Sequence, residues 1–194
     1  MSSSLLPFAL FALVASISPG PTNLLILAHG AHNGLRASVL QILAACSAAA
    51  GIVWLVGLGL GDLLLRHPLA QQAMGWAGAL WLSLLAWRLF KAAGEPVSAS
   101  AQRHLSAASA AALQLVNPKV WLMAVAVIGV FATPRTPVWQ LALVFLLIAL
   151  PCLGAWALLG VGSTRWLGTG SASRRFNQLL AALLMVSTWW AVLG

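Results

Sequence analysis

The chain has 194 residues, 61% of them hydrophobic and 6% charged, and a formal net charge of +8. An ordinary soluble domain is about 25% charged, so this composition excludes a soluble globule with a polar shell and reads as a single-domain integral membrane protein over residues 1–194. The positive charge does not point to nucleic acid, because the basic residues are scattered between apolar runs with no basic face or cluster.

A spanning helix needs about 20 apolar residues, and the chain offers six such candidates. The first runs from Leu5 to His29. It lacks the positive start and small-residue cleavage site of a signal peptide, so it reads as a retained span. Ser18-Pro19-Gly20-Pro21-Thr22-Asn23 breaks it. A proline inside a helix removes a hydrogen bond and clashes with the preceding turn, at a cost of about 3 kcal/mol. In lipid the freed backbone groups find no water, so such breaks survive only where protein encloses them or they line a cavity. His29 ends this span. It is the candidate proton-coupling group, set against the plainer reading of an interfacial anchor.

Gly30 to Gly34 reads as the first loop. The second span, Ser38 to Leu60, contains Cys46, and Gly61-Asp62 to Pro68 forms the next connection. The third span runs from Leu69 to Phe90, and the Ala/Ser-rich loop Lys91 to Leu105 follows. The fourth, Ser106 to Phe131, is broken at Asn117-Pro118-Lys119. Thr133-Pro134-Arg135-Thr136-Pro137 is a turn, the fifth span runs from Trp139 to Gly162 and holds Cys152, and the sixth runs from Phe176 to Leu193 after a loop at Gly168 to Ser173. Trp76, Trp87, Trp139 and Trp166 fall near the expected interfaces. Trp54, Trp81, Trp121 and Trp156 fall deeper, where helix packing or cavity walls would use them.

The odd-numbered loops hold Arg36; Arg88, Lys91 and Arg103; and Arg165, Arg174 and Arg175, whereas the even-numbered loops hold only Arg66 and Arg135. The positive-inside rule places the odd loops in the cytoplasm and both termini outside. Three spans per half invert the second half relative to the first. The fold expected is therefore all-α, with six transmembrane helices in two inverted three-helix repeats, about residues 5–90 and 106–193. Helices 1 and 4 are broken at proline motifs. Broken helices at corresponding places of two halves are a pointer to a transporter's binding site.

Each break exposes the carbonyls that end one half-helix and the N–H groups that begin the next. The N–H end carries partial positive charge and binds anions, so paired breaks suit a zwitterionic amino acid. Lys119 lies mid-span, where an ionised lysine costs about 2.5–3.5 kcal/mol and is functional by default. The plainer reading, a snorkelling lysine at a helix end, leaves only Val120 to Phe131, too short to cross. Asn23 and Asn117 carry amides able either to satisfy the opened backbone or to touch a ligand. The expected substrate-binding set is Pro19, Gly20, Pro21, Asn23, Asn117, Pro118 and Lys119. The only carboxylates, Asp62 and Glu95, fall in loops, which argues against a basic or metal cargo. No metal site, cofactor site or set of hydrolytic residues is expected. The expected partners are an amino-acid substrate and membrane lipid, not nucleic acid, with a homo-oligomer allowed.

With both breaks in place, the chain resembles the LysE/RhtB family of amino-acid exporters. The resemblance rests on SPGPTNLLIL, on Gly30 and Gly34, on Gln114-Leu-Val-Asn117-Pro118-Lys119 and on Arg174-Arg175-Phe-Asn177. It implies a bacterial inner-membrane exporter driven by the proton gradient. Two departures bear on helix mobility and cargo: Ala44 to Ala50 replaces glycines in the second span, and Ala181, Ala182 and Ser187 replace them in the last. The lysine exporters carry an acidic residue in the second span, and its absence here favours a neutral cargo. Two rival readings are a membrane thiol/electron-transfer protein using Cys46 and Cys152, and a non-transporting scaffold. The first would be decided by replacing both cysteines, since an exporter should keep its activity.

Overall fold

A computed structural model describes residues 5–92, 105–167 and 171–193. The elements are α1 (Leu5–Ile17), α2 (Pro21–Leu55) continuing through a π-helical stretch (Val56–Leu60), α3 (Gly61–Arg66), α4 (Pro68–Ala92), α5 (Ala107–Val116), α6 (Pro118–Phe131), α7 (Val138–Leu167) and α8 (Ser171–Leu193). The described residues form no strand beyond an isolated bridge between Thr133 and Thr136, in the turn expected there. Glu95, Arg103 and most of the Lys91–Leu105 loop lie outside the described residues, as do Gly168 and the side chains of Arg88, Arg165, Trp166 and Ser187.

The run from Pro21 to Leu60 and the run from Val138 to Ser163 are each long and apolar enough to cross a membrane. The pair α5 and α6 qualifies as a third crossing if it is one broken span, bent by 65°. The Pro21–Leu60 run has 40 residues, about 60 Å of helix, twice the hydrocarbon thickness of about 30 Å. Gly34 divides it. Its backbone is turned to φ 82°, ψ 171°, which a residue with a Cβ rarely adopts. The first loop is therefore shorter than the sequence suggests. Residues 30–33 stay helical, because nothing but Gly34 interrupts the hydrogen-bond ladder. The second connection is also largely helical, as α3.

Small residues set the packing. The largest interface joins α2 and α7. There a Cβ on Gly30 would meet the backbone of Ala157, and one on Gly160 would lie inside the Leu27 carbonyl. This is the close approach that small residues allow between membrane helices. One buried cluster joins α1, the 35–55 limb of α2, α6 and α7 through Phe8, Ile42, Val53, Val127 and Phe145. A second joins the 21–33 limb to α4, α5 and α8 through Leu24, Leu82, Leu113 and Leu184. The α4–α8 contact adds Trp76 edge-on to Trp189, whose Nε1 donates to Ser83 Oγ at 3.2 Å. Outside, α1, α7 and α8 present Leu6, Leu10, Val14, Leu143, Leu147, Leu179 and Val186, an apolar exterior suited to lipid rather than water.

Candidate functional site

The first break is three residues long. Pro19 cannot extend α1, Gly20 is extended (φ −169°, ψ 172°), and Pro21 opens α2 at its first turn, where a missing N–H costs nothing. Ending a helix strands its last carbonyls, and here side chains cover each of them. Ser18 Oγ donates to the Ala15 carbonyl at 3.0 Å. Asn23 Nδ2 donates to Ser16 O at 2.8 Å and to Ser18 O at 3.1 Å. Trp156 Nε1, from α7, donates to Ile17 O at 3.1 Å. Lys119 Nζ, from α6, donates to Ser18 O at 3.0 Å and to Ser18 Oγ at 2.8 Å. The start of α2 differs: no side chain caps it.

The second break is a single residue. Asn117 is extended (φ −89°, ψ 106°), and its Oδ1 accepts from the Lys119 N–H at 3.2 Å. It is thus a side-chain N-cap for α6. Trp121 Nε1 donates to the Leu115 carbonyl at 2.9 Å, covering the end of α5. Thr22 ties the two breaks together: it accepts from Asn117 Nδ2 at 3.2 Å and donates to Gln114 Oε1 at 3.2 Å. All three side chains are buried.

Two cavities flank this junction. A small one of about 50 Å³ lies toward the 35–55 limb of α2 and α7, bordered by Ser16, Asn23, Gln114, Cys46, Phe145 and Ala149 among others. A larger one of about 280 Å³ lies toward α4 and α8, bordered by Pro19, Pro118, Ala79, Leu82, Leu122 and Thr188. Gly20, Pro21, Asn117 and Lys119 border both. Lys119 stands between the two, and a Cβ on Gly20 would meet its Nζ at 3.1 Å.

All seven residues expected at the site from the sequence border one or both cavities. His29 borders neither. It is buried in α2 rather than presented at a helix end, with Nε2 3.4 Å from the Ala37 carbonyl and Nδ1 3.3 Å from Asn33 Nδ2. It lies six residues beyond Asn23, about 9 Å along the helix. Sequence reasoning missed Ser18, Thr22 and Gln114 as partners. A signal existed for Gln114, a lone amide in an apolar run. Of the deep tryptophans, Trp121 and Trp156 cap the broken helices, whereas Trp54 and Trp81 face outward. Cys46 and Cys152 are buried free thiols. Among the described residues no three His, Cys, Asp or Glu side chains group as a metal site would require.

The LysE type translocator family profile matches residues 13–188. This chain belongs to that family. The LysE-family cysteine/O-acetylserine efflux protein of Klebsiella pneumoniae subsp. pneumoniae is similar to it, 33% identical over 184 residues, 92% of this chain and 91% of that protein. Proteins of the same name from Escherichia coli strain K12 and Shigella sonnei are 31% identical over 183 residues, 92% of both chains in each case. No solved structure matches the chain. Membership in a translocator family makes the protein a helical membrane transporter, not an enzyme.

Proposed function

We propose that this LysE-family protein exports small neutral amino acids or their derivatives across the bacterial inner membrane by alternating access. In this reading the single domain has six spans in two inverted repeats, about residues 5–90 and 106–193, with both termini outside. The names of its relatives support an amino-acid cargo. The division of the 40-residue run at Gly34 supports counting it as parts of two spans.

The observation that carries the reading is Lys119 Nζ seated on the carbonyl end of α1, 3.0 Å from Ser18 O. That end is partially negative. It is the place a substrate ammonium would take, and Lys119 already fills it. The uncapped start of α2 lies at the same break and offers N–H donors to a carboxylate. Substrate entry then exchanges partners: the incoming ammonium displaces Lys119 from Ser18, and Lys119 turns to the incoming carboxylate. No new charge is left unpaired in the low-dielectric interior, where an unpaired charge is costly. Asn23 and Asn117 hold the backbone of the two breaks while Lys119 moves. Inward proton flow drives export, with His29 as its titrating group.

Efflux of labelled amino acids from proteoliposomes, with and without an imposed pH gradient, tests this proposal. Gradient-dependent efflux of neutral amino acids is expected from the wild type, and none from Lys119→Ala. Equal efflux from both proteins would remove Lys119 from the mechanism. Absence of efflux from the wild type would overturn the cargo. Cys46→Ala/Cys152→Ala is expected to keep its efflux, and loss there would favour thiol chemistry.

A further inference from the structure

Among the described residues, three buried side-chain polar atoms make no hydrogen bond: Ser16 Oγ, Gln41 Oε1 and Thr188 Oγ1. Such groups are uncommon, and each asks for an explanation. Ser16 borders the small cavity and Thr188 the large one. Thr188 is 2% exposed. A helical threonine commonly bonds a carbonyl one turn back, and this one does not. Rotation about χ1 exchanges its methyl and hydroxyl between staggered positions, so the hydroxyl is available to whatever occupies the cavity beside it.

Volume separates the two cavities. About 50 Å³ holds a few waters at most. About 280 Å³ approaches the lower end of small-ligand pockets, about 300–1,000 Å³. Of the two cavities, the one on the α4–α8 side therefore has room for the side chain of a substrate whose ammonium and carboxylate engage Ser18, Lys119 and the start of α2. There Ala79 and Leu82 are each 1% exposed and form the floor with Thr188, while Pro19 and Leu122 form the exposed rim. Among the described residues, Lys119 is the only charged side chain that borders this cavity.

We propose that this α4–α8 cavity receives the substrate's side chain and that Thr188 is the specificity-determining contact, reading a single short uncharged polar group such as a thiol, hydroxyl or ester. The inference rests on the exporter reading above. A charged side chain reaching Thr188 would lose its hydration with no counter-charge. An apolar one would leave the threonine hydroxyl without a partner. A site built to bond a polar group rejects the analogue that lacks it, because its own buried group is then left unpaired.

Cysteine and 2-aminobutyrate, which differ by a thiol against a methyl, are the probes. Each is measured as efflux from proteoliposomes carrying the wild type, Thr188→Val, Thr188→Ser or Ala79→Leu. The wild type is expected to favour cysteine in kcat/KM by about tenfold. Thr188→Val should bring the ratio to about one through the KM for cysteine, and Thr188→Ser should restore the preference. Ala79→Leu, which fills the floor, should slow O-acetylserine more than alanine. A preference unchanged in Thr188→Val, or no preference in the wild type, overturns the assignment while exporter activity stands. If Thr188→Val does not reach the membrane, equal slowing of O-acetylserine and alanine by Ala79→Leu overturns it. A wild type that moves no amino acid overturns the exporter reading and this inference together.

Discussion

The two proline breaks look alike in the sequence and are built differently. The second is one residue wide and satisfies itself: Asn117 caps α6 and Trp121 covers the end of α5. The first is three residues wide, and two of the groups that close its carbonyl end come from other helices, Lys119 from α6 and Trp156 from α7. Its far side, the start of α2, has no side-chain cap. In the reading proposed above the difference gives them roles: the second break, bent by 65°, aims Lys119, and the first is the receiver, with one end closed by the Lys119 side chain and the other left for an anion. A proline motif alone marks where a helix is broken, and the partners of the stranded backbone groups decide whether the break is structural or responsive.

Gly20→Leu should break this comparison most severely. Gly20 is extended, a conformation open to any residue, so its backbone tolerates the change. The cost is spatial, because even a Cβ would sit 3.1 Å from Lys119 Nζ. A leucine displaces the ammonium from Ser18 and fills the space both cavities share. Transport should vanish while membrane insertion, read by flotation of the vesicles, persists. Transport at the wild-type rate would remove Gly20 from the path.

The asparagines come next. Asn23→Ala strips the donor from the Ser16 carbonyl and one of two from Ser18. A buried acceptor left unsatisfied costs about 1–3 kcal/mol. Asn117→Ala removes a cap, about 1 kcal/mol, together with the buried bond from its Nδ2 to Thr22. Thermal unfolding in detergent should therefore place both variants below the wild type. An unchanged melting temperature in either would mean that its asparagine does not hold its break. Asn117→Asp keeps the capping oxygen, loses the Nδ2 donor to Thr22 and adds a charge two residues from Lys119. It should slow transport, since in the proposed exchange a fixed carboxylate competes with the substrate's carboxylate for Lys119.

The same contrast explains what was legible beforehand. Prolines inside apolar runs are local, covalent facts, so both helix breaks are legible in the sequence. Residues 30–33 read as a loop in the sequence because glycine at both ends suggests a turn, yet Gly34 alone takes the turn and Gly30 serves close packing against Ala157. Thr22 with Gln114, Trp156 with Ile17 and Thr188 at the floor of the large cavity were not legible. Each depends on which helix lies beside which, and hydropathy does not record neighbours in a chain so uniformly apolar. The asparagines carried the opposite difficulty. Their residue type suits both backbone repair and ligand contact, and distances show both engaged with backbone, Asn117 also with Thr22.

Ser18→Ala should have the smallest effect, and its sign is informative. The change removes one of the two acceptors that hold Lys119, the hydroxyl at 2.8 Å, together with that hydroxyl's bond to the Ala15 carbonyl, and leaves the Ser18 carbonyl at 3.0 Å. If Lys119 served only to close α1, weakening its seat would lower stability and activity together. If Lys119 must leave Ser18 before a substrate ammonium can enter, the resting protein is held in a state that does not bind, and apparent affinity is reduced by the fraction that is competent. Loosening the seat then raises that fraction. A hydrogen bond contributes about 0.5–1.5 kcal/mol, which corresponds to a decrease in KM of about 2–10-fold. A lower KM at unchanged kcat is therefore expected of Ser18→Ala in proteoliposome efflux. A higher KM would mean that the contact between Lys119 and Ser18 is a structural brace, and that the substrate ammonium is received elsewhere.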